Sequence, residues 1–286
     1  MFLVLGAARF LHYAALCLLF GLAAFPHYAE PDGAAARDLR RWMRLCTLLA
    51  LITGVLEFLA MSAAMGGSWG SMFDPQIWAA AVTDTAFGRW WMLHLGLAAG
   101  MAVLILRLQT ARSRWLLWAS GGLLASVALT GHAAIPGGAA GALHRFADAL
   151  HLLAAGWWAG GLLALAMVAR SLDTRLTGVL ERFSRIGYLA VTLLIASGVI
   201  NTLVLVRPLS ALLSSPYGRV LTAKIALVGI MGLLALSNRF QITPALAAAT
   251  DTPRWTGRLQ RQVTLELVVA LGVLALVGAL GAMQPP

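Results

Sequence analysis

The sequence predicts an all-α membrane protein of eight transmembrane helices, a probable 4+4 parallel internal repeat, with both termini periplasmic. Three observations carry that prediction. The first is composition: of 286 residues, 60% are apolar and 11% charged, and the mean hydropathy is +0.83. A soluble domain is about one-quarter charged, so this chain cannot clothe a water-facing surface; disorder needs low hydrophobicity and is excluded with it. The second is rhythm, because apolar runs long enough to cross a bilayer as helices alternate with short polar breaks from end to end. The third is that basic residues concentrate in every other break.

The spans fall at about 3–25, 43–65, 89–107, 115–135, 146–169, 187–206, 218–238 and 263–283. The first lacks a basic leader and its apolar run is too long for a signal-peptide core, so it is counted as a span. Residues 1–286 thus form a single polytopic membrane domain with repeat halves of about 1–140 and 141–286.

Orientation follows from the arginines. The breaks after spans 1, 3, 5 and 7 hold fifteen basic residues, among them Arg37, Arg40, Arg41, Arg44, Arg182, Arg185, Arg258 and Arg261. The opposite breaks and span edges hold Arg89, Arg145, Arg207, Arg219 and Lys224, with Arg9 inside span 1. Fifteen against six puts the first set in the cytoplasm. The net charge of +10 is therefore a topology signal rather than a nucleic-acid footprint. Cys17 and Cys46 sit in or beside apolar runs without a CxxC, so they define no disulfide framework.

The halves resemble each other. Phe87-Gly88-Arg89 precedes His94 by five residues from its arginine, and Tyr217-Gly218-Arg219 precedes Lys224 by the same five. Thr53-Gly54-Val55-Leu56-Glu57 matches Ser197-Gly198-Val199-Ile200-Asn201, and His12 with Ala14-Ala15 matches His151 with Ala154-Ala155. The matches are collinear at offsets of 130 to 144 residues, and four spans per half make the repeats parallel.

The topology gathers His12, His94, His132, His144 and His151 into the outer leaflet and leaves His27 on the cytoplasmic side. His144, Asp148 and His151 share one helix face at i, i+4 and i+7, and a carboxylate beside an imidazole is the usual outer support of a metal ligand. Glu57, Met61 and Met65 form a stripe climbing outward on span 2. Thioether plus imidazole is a copper-selecting mixture. Met stripes are more often packing, and a single interfacial histidine is more often a headgroup-level polar group. Trp90, Trp91, Trp157 and Trp158 read as an interfacial belt. Glu57 differs, because a carboxylate near mid-membrane is functional by default. Asn201 reads as a helix–helix hydrogen bond, and Arg9 and Lys224 either snorkel or pair with Glu57 or Asp148. The expected metal site is His94, His132 and His151 near the outer face, with His144, His12, Met61 and Met65 as further ligands. Asp148, Glu57, Asn201 and Lys224 are the supporting or pathway residues.

The stretch 145–240 resembles the membrane domain of the CopD (PcoD-like) copper-resistance proteins. The resemblance rests on Asp148-x-x-His151 leading into Trp157-Trp158-Ala159-Gly160-Gly161, on Phe183-Ser184-Arg185, and on Ser197-Gly198-Val199-Ile200-Asn201. Pro216-Tyr217-Gly218-Arg219-x-Leu221-x-x-Lys224 and Asn238-Arg239 complete it; the CopD-like core then runs over about 145–284. The resemblance implies a bacterial inner-membrane protein that moves a copper ion, in the usual proposal from periplasm to cytoplasm, and a separate periplasmic CopC-like partner. No nucleotide-binding motif is present, so transport without enzymatic activity is the leading expectation. A b-type haem cytochrome using His94 and His151, and a copper-binding assembly or sensing protein, are the alternatives.

Overall fold

A computed structural model of the chain describes residues 2–31, 33–130, 138–169, 176–248 and 252–286. Those residues are almost wholly helical, without a strand among them. The long helices are α1 (Phe2–Ala24), α3 (Gly33–Met65), α5 (Ala86–Arg107), α7 (Gly138–Ala169), α8 (Leu176–Leu205), α10 (Pro216–Ser237) and α12 (Thr252–Ala282). Shorter pieces lie between them: α2 (Pro26–Ala29), α4 (Pro75–Asp84), α6 (Arg114–Ala125), α9 (Ala211–Ser214) and α11 (Thr243–Ala248).

Seven segments among the described residues are long and apolar enough to cross a membrane. The expected fourth span is different. Its described part, α6 plus a 3-10 turn, ends at Leu129 after 16 residues, about 24 Å at 1.5 Å per residue against a core of about 30 Å. The remainder of that expected span lies outside the described residues.

Helix α1 is the hub because it is apolar all round and small where it must be. It packs on α3, α7, α12 and α6, and Leu16, Leu19, Leu22 and Phe25 are fully enclosed. Its crossing of α7 is backbone on backbone: a Cβ on Gly21 would sit 2.5 Å from the Gly160 Cα, and one on Gly160 would sit 2.6 Å from the Leu18 carbonyl oxygen. Gly156 presses on Cys17 in the same seam. Small residues that let backbones meet are what dispersion-driven packing in lipid requires, since burial from water supplies nothing there. Helices α8 and α10 lie outside this hub, with only 17% and 11% of their apolar windows buried.

The helices overrun the expected spans mainly at the arginine-rich ends. Helix α3 begins at Gly33 and α12 at Thr252, so Arg37, Arg40, Arg41, Arg44, Arg258 and Arg261 ride on helix rather than loop. Leu39, Met43 and Cys46 are buried along one face of this extension, a 3.6-residue period that the polar residues mask. At the other ends, α5 and α10 start with one device. Thr85 and Ser215 each accept the amide of the glycine three residues on, Gly88 and Gly218, at 2.9 Å. A Cβ on either glycine would strike the carbonyl oxygen of Ala81 or Ala211 in the preceding short helix.

Candidate functional site

The repeat motif of the sequence becomes two side-chain constellations with one pattern of partners. In the first, His12 of α1 sits between Thr53 of α3 and His94 of α5. Its Nδ1 is 2.9 Å from the Thr53 hydroxyl and its Nε2 is 2.9 Å from the His94 Nε2. In the second, His151 of α7 sits between Ser197 of α8 and Lys224 of α10. Its Nδ1 is 3.0 Å from the Ser197 hydroxyl and its Nε2 is 3.5 Å from the Lys224 ammonium. Gly54 and Gly198, next to the two hydroxyls, leave room for the rings. A Cβ on either would lie 3.3 Å from the Cε1 of its histidine.

Hydrogen-bond accounting fixes the tautomers. A hydroxyl has one proton. Thr53 donates its proton to the Leu49 carbonyl oxygen at 2.6 Å, so toward His12 it accepts, and His12 carries its proton on Nδ1. Ser126, in the turn after α6, donates to the Leu123 carbonyl at 2.7 Å and lies 2.7 Å from the His94 Nδ1; His94 is protonated there too. In their neutral forms both imidazoles therefore aim an Nε2 lone pair at the other across 2.9 Å. Two acceptors at that distance repel unless a proton or a metal cation lies between them. His151 reaches the same tautomer, since its Nδ1 donates to the Leu194 carbonyl at 3.1 Å. Its lone pair, however, meets an ammonium. Lys224 stands where the first constellation has an opposing lone pair.

The flanking polar pairs correspond in position, though only the first is ionic. Arg9, three residues before His12, donates to the Glu57 carboxylate at 2.8 Å and to the Gly281 carbonyl. The other Glu57 oxygen is buried without a partner. Asp148, three residues before His151, accepts from the Asn201 amide at 3.0 Å.

Aromatic rings close the first constellation. Trp91 donates to the Gly54 carbonyl at 3.0 Å and stacks on His94 with centroids 5.0 Å apart. His12 and His94 are fully buried and Trp91 is 1% exposed. Trp91 and Trp158, expected in an interfacial belt, are thus core residues, whereas Trp90 is 42% exposed.

A cavity of about 690 Å³ lies beside both constellations and is lined by Glu57, Met61, Met65, His144, Asp148, His151, Asn201 and Lys224, with Arg9 and Cys17 also on its walls. His12 and His94 are not among its lining residues. His144 is buried and its Nδ1 has no partner. His132 lies outside the described residues. Among the described residues no three His, Cys, Asp or Glu side chains gather to hold a metal ion. His94 and His151 are held in separate constellations, with both ring nitrogens of each engaged by other groups.

The model of the copper resistance protein D-like N-terminal domain matches residues 1–142, and that of copper resistance protein D matches residues 177–280. Copper resistance protein D of Pseudomonas syringae pv. tomato is 34% identical across 98% of this chain and 96% of its own length. The chain belongs to the copper resistance protein D family. Another similar protein is the inner membrane protein YebZ of Escherichia coli K12, 30% identical across 98% of this chain and 97% of its own length. The copper transport protein CutJ of Bacillus subtilis strain 168 is 29% identical over 80% of this chain, a match that spans 45% of CutJ. No solved structure matches the chain. Family and helices together make it a multi-pass inner-membrane protein.

Sequence reasoning passed over Ser126 and Glu266, and it aligned Thr53 with Ser197 without giving either a role. Thr53 and Ser197 were visible as the hydroxyl preceding each motif glycine. Ser126 has no such signal, because its turn has no matched motif in the other half. Glu266 of α12 is 1% exposed, and its carboxylate inside an apolar run was the available cue.

Proposed function

We propose that this member of the family moves copper across the inner membrane from periplasm to cytoplasm, capturing it in the outer leaflet and passing it through the cavity between the two constellations. The observation that carries the reading is the pair of Nε2 lone pairs on His12 and His94 facing each other at 2.9 Å. Metal–imidazole bonds are roughly 2 Å long, by analogy with zinc, so a cation bridging the two nitrogens needs the rings to part by only about 1 Å. Imidazole suits copper and thioether selects Cu(I). Met61 and Met65 on the cavity wall, with the orphan nitrogen of His144, offer further ligands in the cavity beside that pair. His132, from the segment before α7, joins the outer ligand set in this reading, His151 joins it only when its Nε2 parts from the Lys224 ammonium, and Cys17 offers a soft ligand on the cavity wall.

The same reading includes eight spans with both termini periplasmic and a parallel duplication of halves 1–140 and 141–286. Support for the duplication is the identity of partner pattern around His12 and His151, down to the 3.3 Å approach of each motif glycine. Glu57 and Asp148 provide negative charge where a cation must cross low-dielectric protein. The membrane potential favours inward cation movement by about 2.3 kcal/mol per charge per 100 mV. A periplasmic CopC-like protein would deliver the ion.

Copper uptake by proteoliposomes containing the purified full-length protein tests this. Wild-type vesicles should accumulate copper at a rate that His12→Ala abolishes. Copper that binds tightly but never enters the lumen would convert the reading to an assembly or sensing role, and a Soret band with a sharp α-band on reduction would convert it to a cytochrome.

A further inference from the structure

The transport reading supplies an entrance and a cavity but no way out, and the structure holds a second buried acidic centre in line with that cavity. The cavity's floor between α10 and α12 includes Met231 and Ala270. Two turns on from Met231, at the end of α10, and one turn back from Ala270 on α12, Asn238 donates its amide to the Glu266 carboxylate. Glu266 is 1% exposed, and the Asn238 side-chain oxygen is buried with no hydrogen-bond partner. Beside them, toward the arginine-rich ends, a second cavity of about 370 Å³ opens, lined by Leu234 and Gln262 among others. Gln262, Glu266 and Ala270 follow one another at i, i+4 and i+8 on one face of α12. On α12, Glu266 therefore lies one turn from Ala270 of the first cavity and one turn from Gln262 of the second, with Asn238 bonded to it across the helix pair.

The geometry points to Glu266 and Asn238 as the inner station from which the transported cation leaves toward the cytoplasm. The assignment rests on the transport reading above and adds to it a residue pair and a route. Three features agree with it. A carboxylate beside an orphaned carbonyl oxygen is an acceptor pair that a cation satisfies and that protein groups leave half satisfied. Oxygen ligands hold a soft cation loosely, which suits release, because a conducting site must bind well enough to be entered and weakly enough to be left. The chain of α10 changes from α to π winding at Asn238–Ile242, a local widening that recurs at functional positions. The Thr243 hydroxyl donates to the Asn238 backbone carbonyl at 2.9 Å and holds that turn.

The test compares Glu266→Gln, Glu266→Asp and wild type in full-length protein, measuring both copper retained after purification and copper uptake into proteoliposomes. The expected result is unchanged retention in all three, with uptake by Glu266→Gln about tenfold slower and Glu266→Asp in between. Wild-type rates in Glu266→Gln would overturn the inner station while leaving the transport reading intact. Loss of retained copper together with uptake would overturn it as well, by making Glu266 a structural support of the whole bundle. Wild-type vesicles that take up no copper would overturn the transport reading and this assignment together.

Discussion

The half around His12 and the half around His151 hold their imidazoles alike and differ in what faces them. Each histidine is oriented through Nδ1 by a hydroxyl one residue before a glycine. In the amino-terminal half the exposed lone pair meets the lone pair of His94; in the carboxy-terminal half it meets Lys224. One half thus opposes its imidazole with a covalently held cation, and the other with a second lone pair. The flanking polar pairs differ as well, with Arg9 on Glu57 in the first half and the neutral Asn201 amide on Asp148 in the second. The lesson is that equal scaffolds can be given opposite duties by one exchange at the third position of the constellation.

Exchanging that position gives the largest expected effect. His94→Lys should place an ammonium against the His12 lone pair, keep the fold, and weaken copper binding by about 100-fold or more, at least the range that loss of a supporting group produces. Lys224→His should do the opposite, creating a second facing pair and raising the copper content of purified protein by one ion. Metal analysis with a thermal unfolding control reads both. If His94→Lys retains its copper, the comparison between the halves is broken.

A smaller effect separates the two orienting hydroxyls. Thr53→Ala removes the side-chain acceptor that fixes the His12 tautomer and should weaken copper binding about tenfold. Ser197→Ala should change little, about twofold at most, because the Leu194 carbonyl at 3.1 Å still accepts from the His151 Nδ1. A titration with a competing copper chelator distinguishes them. The glycines are read in stability rather than in binding. Gly54→Ala and Gly198→Ala each push a methyl to 3.3 Å from a ring carbon, and at Gly54 the methyl also meets the Leu95 Cδ2 at 3.0 Å, so each should cost about 1 kcal/mol by thermal unfolding in detergent, Gly54→Ala the more. A larger cost for Gly198→Ala would break the correspondence of the scaffolds.

The sequence contained more of this arrangement than its histidine spacing alone conveys. Aligning His12 with His151, Thr53 with Ser197 and His94 with Lys224 named six side chains that the fold then joins in two threes. It did not tell that the three residues of each half would be one another's partners, because collinearity gives depth and order but not which helices lie side by side. Placing His94 and His151 in one leaflet says nothing of their facing, which is set by how α1 packs on α3 and α7 and so depends on glycine contacts scattered over Gly21, Gly156 and Gly160. Trp91 was misplaced for a related reason. An indole near a helix end has the same sequence signature whether it faces headgroups or a neighbouring helix, and here it turns inward to the Gly54 carbonyl. The helical extensions that carry Arg40 and Arg258 were hidden because charge density outweighs an apolar stripe in any hydropathy window.

The seam between α1 and α7 has a consequence for how the molecule tolerates change. His12 and His151 ride on the two helices that touch there through Gly21, Gly156 and Gly160, with no side chain between the backbones. A side chain added at any of these positions acts as a wedge whose displacement is shared by both imidazoles, however distant the wedge is from either. The two half-sites are in this sense one mechanical part. Their mutual alignment rests on three hydrogen atoms, and a methyl in place of any one of them shifts both imidazoles together.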